Sequence, residues 1–243
     1  MNAQNTYLLD IMDVIKDFGG VRIIDHLSLQ IETGEIRGLI GPNGSGKTTL
    51  INLITGMYKL TGGSIHFAGK RINGLQPDVI ASMGIMRTFQ ISRVFRDMTV
   101  LENMMVPALW QGETMVQAKA KAEELLDFAL LGALKDQPAK NLSGGQAMLL
   151  QIVRGFMNQH LRLYVMDEPF SGVHQSIKGV ILKTIKIMKE EKGITFLITS
   201  HEMATINYIC GKVSVLHKGQ MISHGTMEQI ANDPLVIEAY LGG

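Results

Sequence analysis

The chain has 243 residues, 46% of them hydrophobic, with 23 Lys+Arg against 22 Asp+Glu and a formal net charge of +1. This describes a globular chain with a sizeable core and excludes a disordered one, and the balanced charge gives no footprint for nucleic acid. The single cysteine, Cys210, rules out an intrachain disulfide framework and fits a reducing compartment. No stretch approaches the ~20 apolar residues of a membrane span, and the polar start at residues 1–7 does not read as a secretory signal. A cytoplasmic chain is expected, with any membrane contact made through a partner. The sixteen methionines read as flexible core filler.

In chain order, residues 8–14 alternate apolar and polar side chains, as a half-buried strand does, and residues 27–31 form a second strand before the Glu32-Thr33-Gly34 turn. Residues 35–40 are a short apolar run ending at Gly41, and residues 47–55 read as a helix stopped by Gly56. Residues 64–68 suit a strand between glycines. Helical spacing covers residues 100–131, with a break expected near Pro107 and Gly112 and the clearest amphipathic face over 117–130. Another helix opens at Leu142. Residues 163–166 and 194–199 suit buried parallel strands, with a helix over 178–190 between them. Residues 213–216 and 221–223 flank Lys218-Gly219 as a hairpin. The fold class expected is α/β, with a helical insertion.

Gly41-Pro42-Asn43-Gly44-Ser45-Gly46-Lys47-Thr48 fits the phosphate-binding loop pattern, here between a strand and a helix. Its glycines let backbone amides surround phosphate oxygens, Lys47 adds a point charge, the Thr48 hydroxyl is placed for Mg²⁺, and the helix start favours an anion. Leu163 to Met166 lead into Asp167 and Glu168, an apolar strand with two carboxylates at its end. Beside a phosphate loop these suit a Mg²⁺ site at Asp167 and a general base at Glu168; alone, they would read equally as a solvated strand end. Leu142-Ser143-Gly144-Gly145-Gln146 opens a helix and is either an anion site or an ordinary cap by Ser143.

Together these motifs resemble the nucleotide-binding domain of ATP-binding cassette (ABC) proteins, and the resemblance covers nearly the whole chain. Leu142 to Gln146 matches the family signature, Gln90 in Arg87-Thr88-Phe89-Gln90 the glutamine loop, Asp167-Glu168 the Walker B end, and His201 in Thr199-Ser200-His201-Glu202 the switch histidine. Phe18 falls where the family stacks an aromatic on adenine, although a core phenylalanine is the alternative. The resemblance implies a P-loop, RecA-like ATPase core (residues 1–90 and 161–243) with an antiparallel β portion and a helical subdomain at about 91–160. It implies ATP held by the loop 41–48 with Thr49, Mg²⁺ by Thr48, Gln90 and Asp167, and hydrolysis by Glu168, His201 and Gln90. It also implies that Ser143 to Gln146 face the nucleotide of a second ATP-binding subunit, identical or paralogous, and that the pair drives membrane permease subunits from the cytoplasmic face.

A narrower resemblance, to the ATP-binding subunits of branched-chain amino acid importers, rests on three stretches. They are Arg87 to Gln90 with Met98-Thr99-Val100-Leu101-Glu102-Asn103, Ser171-Gly172-Val173, and the tail from Asp233 to Gly242. Importers of urea or amides and soluble non-transport ABC ATPases are the alternatives. The chain departs from the family at His174, where most members have Asp, and at the apolar run Ala147 to Leu150. It departs again at Gly155, where Ala is usual and where glycine costs a helix about 1 kcal/mol, and at Arg162, before the Walker B strand. These departures lead one to expect a weakened signature helix.

Overall fold

The structure, a computed structural model, describes residues 7–241. The chain runs through β1 (Tyr7–Phe18), β2 (Val21–Glu32), β3 (Ile36–Ile40), α1 (Lys47–Ile54), β4 (Gly62–Phe67), β5 (Lys70–Arg71), α2 (Pro77–Ser82) and β6 (Ile85–Arg87). It continues through α3 (Val100–Trp110), α4 (Met115–Phe128), α5 (Gly144–Gly155), β7 (Leu163–Met166), α6 (Gln175–Lys192), β8 (Thr195–Thr199), α7 (Met203–Ile209), β9 (Lys212–His217), β10 (Gln220–Gly225), α8 (Met227–Ala231) and α9 (Pro234–Leu241).

Two sheets result. The first is antiparallel, in the order β2-β1-β4-β5. Its first hairpin turns at Gly19 and Gly20, both at positive φ, as a two-residue turn between strands requires. Strands β1 and β2 outrun the alternating segments because polar pairs such as Asp17 and Arg22 continue the ladder at an exposed end and bridge each other at 3.0 Å. The second sheet has the order β10-β9-β3-β8-β7-β6 and is parallel except at β10.

Successive side chains of a strand point to opposite faces, and both faces of this second sheet are covered. Tyr164, Met166, Phe196, Ile198, Val213 and Val215 enter the core shared with the helices. Leu39, Leu163, Val165, Leu197 and Leu216 enter the core shared with the antiparallel sheet and α1. Double burial is why these strands read as unbroken apolar runs.

Between β6 and β7 lie α3, α4 and α5. The expected break at Pro107 does not occur: α3 runs through it to Trp110. A Thr99–Glu102 capping box fixes the start of α3, and the Gln111 side chain bonds the Pro107 carbonyl at its end. The break near Gly112 is real, and α4 follows with its own Thr114–Gln117 capping box. Helix α4 closes at Phe128, two residues before the expected end, because Leu130 adopts a left-handed conformation.

The signature helix is formed over its whole length. Ser143 and Gln146 close a capping box at the start of α5, and Ala147, Met148, Leu149 and Leu150 are all buried. The apolar run is core. Gly155 has a specific reason too. A Cβ there would lie 2.2 Å from the hydroxyl of Tyr164, a fully buried phenol that donates to the carbonyl of Ile152 at 2.9 Å. Arg162 precedes β7 on the exposed surface, with its guanidinium over the Phe67 ring.

Gly155→Ala therefore sets a helix-propensity gain of about 1 kcal/mol against overpacking of about 1–3 kcal/mol and disturbance of a buried hydrogen bond. We expect net destabilisation, read as a lower denaturant midpoint, and partial relief when it is combined with Tyr164→Leu. Additive effects of the two changes would contradict the steric pairing.

Candidate functional site

Strands β3, β8 and β7 end level with one another: Leu39 pairs with Thr199, and Met166 with Ile198. Everything that follows these strands is thereby gathered at one edge of the sheet, outside its carboxyl ends, where ligands bind in open α/β sheets.

From β3 the chain enters residues 41–46. Gly41 could not be replaced, because a Cβ there would lie 2.0 Å from the Leu216 carbonyl. Gly44 and Gly46 take positive φ, which leaves backbone amides free to turn inward. Lys47 opens α1, and its Nζ donates to the carbonyls of Gly41 at 2.7 Å and Pro42 at 3.0 Å. Burial lowers the Lys47 pKa, while Glu168 and Asp167 act to raise it, so the lysine and both acids share one field. Thr48 is exposed and Thr49 half-buried on the same helix. Ser45 Oγ is buried without a hydrogen-bond partner, a hydroxyl suited to an oxygen-rich ligand.

From β7 come the two acids, both buried. The Thr199 hydroxyl at the end of β8 donates to Asp167 Oδ1 and accepts from the Glu168 amide, each at 2.9 Å. Thr88, beyond β6, accepts from the Asp167 amide at 3.1 Å. Glu168 is held at φ 49°, a left-handed conformation unfavourable for a side-chain-bearing residue. The His201 amide donates to Glu168 Oε2 at 3.2 Å, and His201 Nε2 lies 3.0 Å from Oε1. That second pair is off the hydrogen-bonding direction, so Oε1 keeps no hydrogen bond of its own. Burial raises the Glu168 pKa above the ordinary glutamate value; His201 and Lys47 oppose the shift and Asp167 adds to it. A carboxyl raised in this way is tuned toward general-base work.

The remaining sequence-predicted residues lie on other segments of the chain. Gln90 is exposed in the loop between β6 and α3. Phe18 is not core: it is 39% exposed at the β1 hairpin end, edge-on to Tyr58, with Lys16 Nζ over its ring. Ser143, Gly144, Gly145 and Gln146 start α5, where Ser143 Oγ accepts from the Gln146 amide and Gln146 Oε1 from the Ser143 amide. Within this chain, Ser143 is a helix cap.

Sequence reasoning missed three contributors. Thr88 and Thr199 were legible only as letters within motifs, since their bonds cross between strands. Tyr240, on α9, lies against the Gly41 amide, whose contact works against the upward pull of burial on its phenol. His174, the departure from Asp, caps α6: its Nδ1 accepts from the Ser176 amide at 3.4 Å and lies 2.9 Å from the Ser176 hydroxyl. It thus takes on the capping work that aspartate does elsewhere.

A glycine loop between a parallel strand and a helix, with carboxylates ending a strand two places along the sheet, defines the phosphate-loop nucleoside triphosphatases. The family described as ABC transporter matches residues 24–171, and that described as Branched-chain amino acid ATP-binding cassette transporter matches residues 220–243. A relative from Archaeoglobus fulgidus, the probable branched-chain amino acid transport ATP-binding protein LivG, is 36% identical over 97% of this chain and 95% of its own. A solved nucleotide-free ATP-binding cassette from an ABC transporter superposes with a TM-score of 0.87 at 34% identity, covering 98% of this chain and 100% of its own. A second solved structure, the ADP conformation of an ATP-binding cassette of an ABC transporter, gives 0.86 at 34% identity, covering 98% and 99%. The chain belongs to the ABC transporter family and is one of its ATP-binding cassettes. No helix among the described residues is long and apolar enough to cross a membrane.

The raised Glu168 carboxyl sets a pH dependence. If Glu168 is the base, it works deprotonated, and hydrolysis at saturating ATP should rise with pH through an acid limb whose midpoint lies above the ordinary glutamate value of about 4.3. Thr199→Val should lower that rate by about tenfold or more by freeing both acids, with ATP affinity unchanged. A wild-type rate in Thr199→Val would show that the hydroxyl does not position them.

Proposed function

We propose that this chain is the ATP-hydrolysing subunit of an ABC importer for branched-chain amino acids, docked on the cytoplasmic face of a separate membrane permease. The match of the last 24 residues to the branched-chain cassette family carries the cargo reading, because it falls on the tail and not on the phosphate loop all cassettes share. The names of the full-length relatives agree with it.

The phosphates of ATP would lie against the amides from Gly41 to Thr49, with Lys47 turning from its loop carbonyls to their oxygens. The exposed Phe18 ring offers adenine a stacking face. Thr48, Asp167 and Gln90 would hold Mg²⁺; one carboxylate and neutral oxygens beside phosphates suit that ion. The metal would supply charge neutralisation to the phosphates when bound. Glu168 accepts a proton from the attacking water as its oxygen bonds to the γ-phosphorus and the bond to the ADP oxygen breaks. His201 donates to the γ-phosphate oxygens and keeps Glu168 oriented.

A second ATP-binding subunit, a paralogue in our reading, supplies the facing signature. Ser143 to Gln146 of each subunit present a helix N-terminus and hydroxyl to the partner's nucleotide, completing its charge cage only on closure. Hydrolysis removes that bridge, and reopening is transmitted through the helices of residues 91–160 to the permease.

Lys47→Ala should abolish ATP binding. Glu168→Gln should bind ATP normally, release phosphate at least about 10²-fold more slowly, and hold a closed ATP-bound dimer in size-exclusion chromatography only when the paralogous subunit is present; a tight homodimer of Glu168→Gln alone would count against a paralogue. Wild-type phosphate release by Glu168→Gln would remove it as the base. Cells lacking the chain should lose saturable leucine, isoleucine and valine uptake while urea uptake is unchanged; the reverse pattern would overturn the cargo.

A further inference from the structure

The loop that carries Gln90 is pinched by one side chain from the signature helix. Gln151 lies on α5, two turns after Ser143, and is 3% exposed. Its Nε2 donates to the Phe89 carbonyl at 3.0 Å, and its Oε1 accepts from the Arg93 amide at 2.9 Å. The amide thus closes residues 89–93 at both ends, with Gln90 inside the closed segment. A carboxamide donates from its nitrogen and accepts at its oxygen while remaining neutral in a buried position.

The contacts around this clamp are continuous. On one side, Thr88 bonds the Asp167 amide, and Arg87 Nη1 donates to Asn52 of α1, the helix that begins with Lys47, and to Thr55 just past its end. The Arg87 and Arg93 guanidinium groups both lie over the Phe89 ring, at 4.3 and 4.1 Å. On the other side, Arg154, one turn beyond Gln151, donates to the Arg93 carbonyl at 2.6 Å. The Gln90 loop therefore joins the phosphate-loop helix and the Asp167 strand to α5 by directional bonds.

We propose that Gln151 is a positioning residue that ties Gln90 to the signature helix. Through it, the position of Gln90 at this chain's own nucleotide and the position of Ser143 at the partner's nucleotide become one variable. The inference rests on the ATPase reading above and adds to it a residue that touches neither nucleotide nor metal.

The test compares wild type with Gln151→Met, which removes both bonds at similar volume, and with the isosteric Gln151→Glu, which keeps the acceptor but turns a second acceptor toward the Phe89 carbonyl. ATP affinity, hydrolysis with Mg²⁺, and hydrogen exchange with and without Mg²⁺-ATP are measured on each. In both variants we expect ATP affinity within twofold of wild type, hydrolysis slower by about tenfold or more, and ATP-dependent slowing of exchange kept at residues 41–48 but lost at 89–93. Should Gln151→Met not fold, the Glu variant carries the same comparison. Wild-type hydrolysis and retained protection at 89–93 would overturn the proposal. So would a loss of rate matched by equal losses of ATP affinity and of protection at 41–48, the pattern of general destabilisation. Absence of ATP binding by the wild-type chain would instead defeat the functional reading itself.

Discussion

The common level at which β3, β8 and β7 end is the constraint on which the chemistry of this chain depends. Parallel register sets Leu39 beside Thr199 and Met166 beside Ile198, so the phosphate loop, His201 and the two acids leave the sheet as neighbours. A single hydroxyl, Thr199, then bonds Asp167 and Glu168 across the strand gap. The left-handed backbone at Glu168 persists because the bonds from Thr199 and His201 determine where its amide and carboxylate lie. A slip of one residue in either strand pairing would turn every side chain to the other face and separate the acids from Lys47. The double burial of the sheet makes such a slip costly, since it would exchange the contents of two filled cores.

The departures of this sequence from its family follow from local packing. Gly155 and Tyr164 exchange volume across α5 and β7, and the phenol returns a hydrogen bond to the helix whose side chain was removed. The apolar residues after Gln146 are buried. His174 keeps a cap on α6 with a ring nitrogen in place of a carboxylate. Each change removes one favourable term and replaces it with another nearby, so the signature helix stays whole and still presents its N-terminus.

Much of this was legible in the sequence because it depends on short spacing. The glycine loop, the apolar strand ending in Asp167-Glu168, the histidine after residues 194–199 and the Lys218-Gly219 hairpin are local patterns with local physical causes. What escaped was set by tertiary partners. A proline usually ends a helix, yet α3 continues through Pro107 because both of its ends are tied down. Strand β6 is three residues long and gains its place only by pairing with β7. Phe18 could have been core or surface on sequence alone, and its exposure follows from lying beside a two-glycine turn. The cost assigned to Gly155 is that of an isolated helix and takes no account of the Tyr164 hydroxyl that a Cβ would meet here, which belongs to a residue nine positions away on another element.

The ATPase at the strand ends is tied to the signature helix by a loop bonded to it, and the proposed importer needs that link to reach a second subunit and a permease. The most direct test is to tag this chain at its terminus, extract native membranes gently with detergent, and identify what is retained. A polytopic permease together with a second ATP-binding subunit is expected, released or retained according to whether ATP or ADP is present. Recovery of only soluble partners or of ribosomes, with no membrane protein in either nucleotide, would contradict the importer reading and leave an ABC ATPase whose work is not transport.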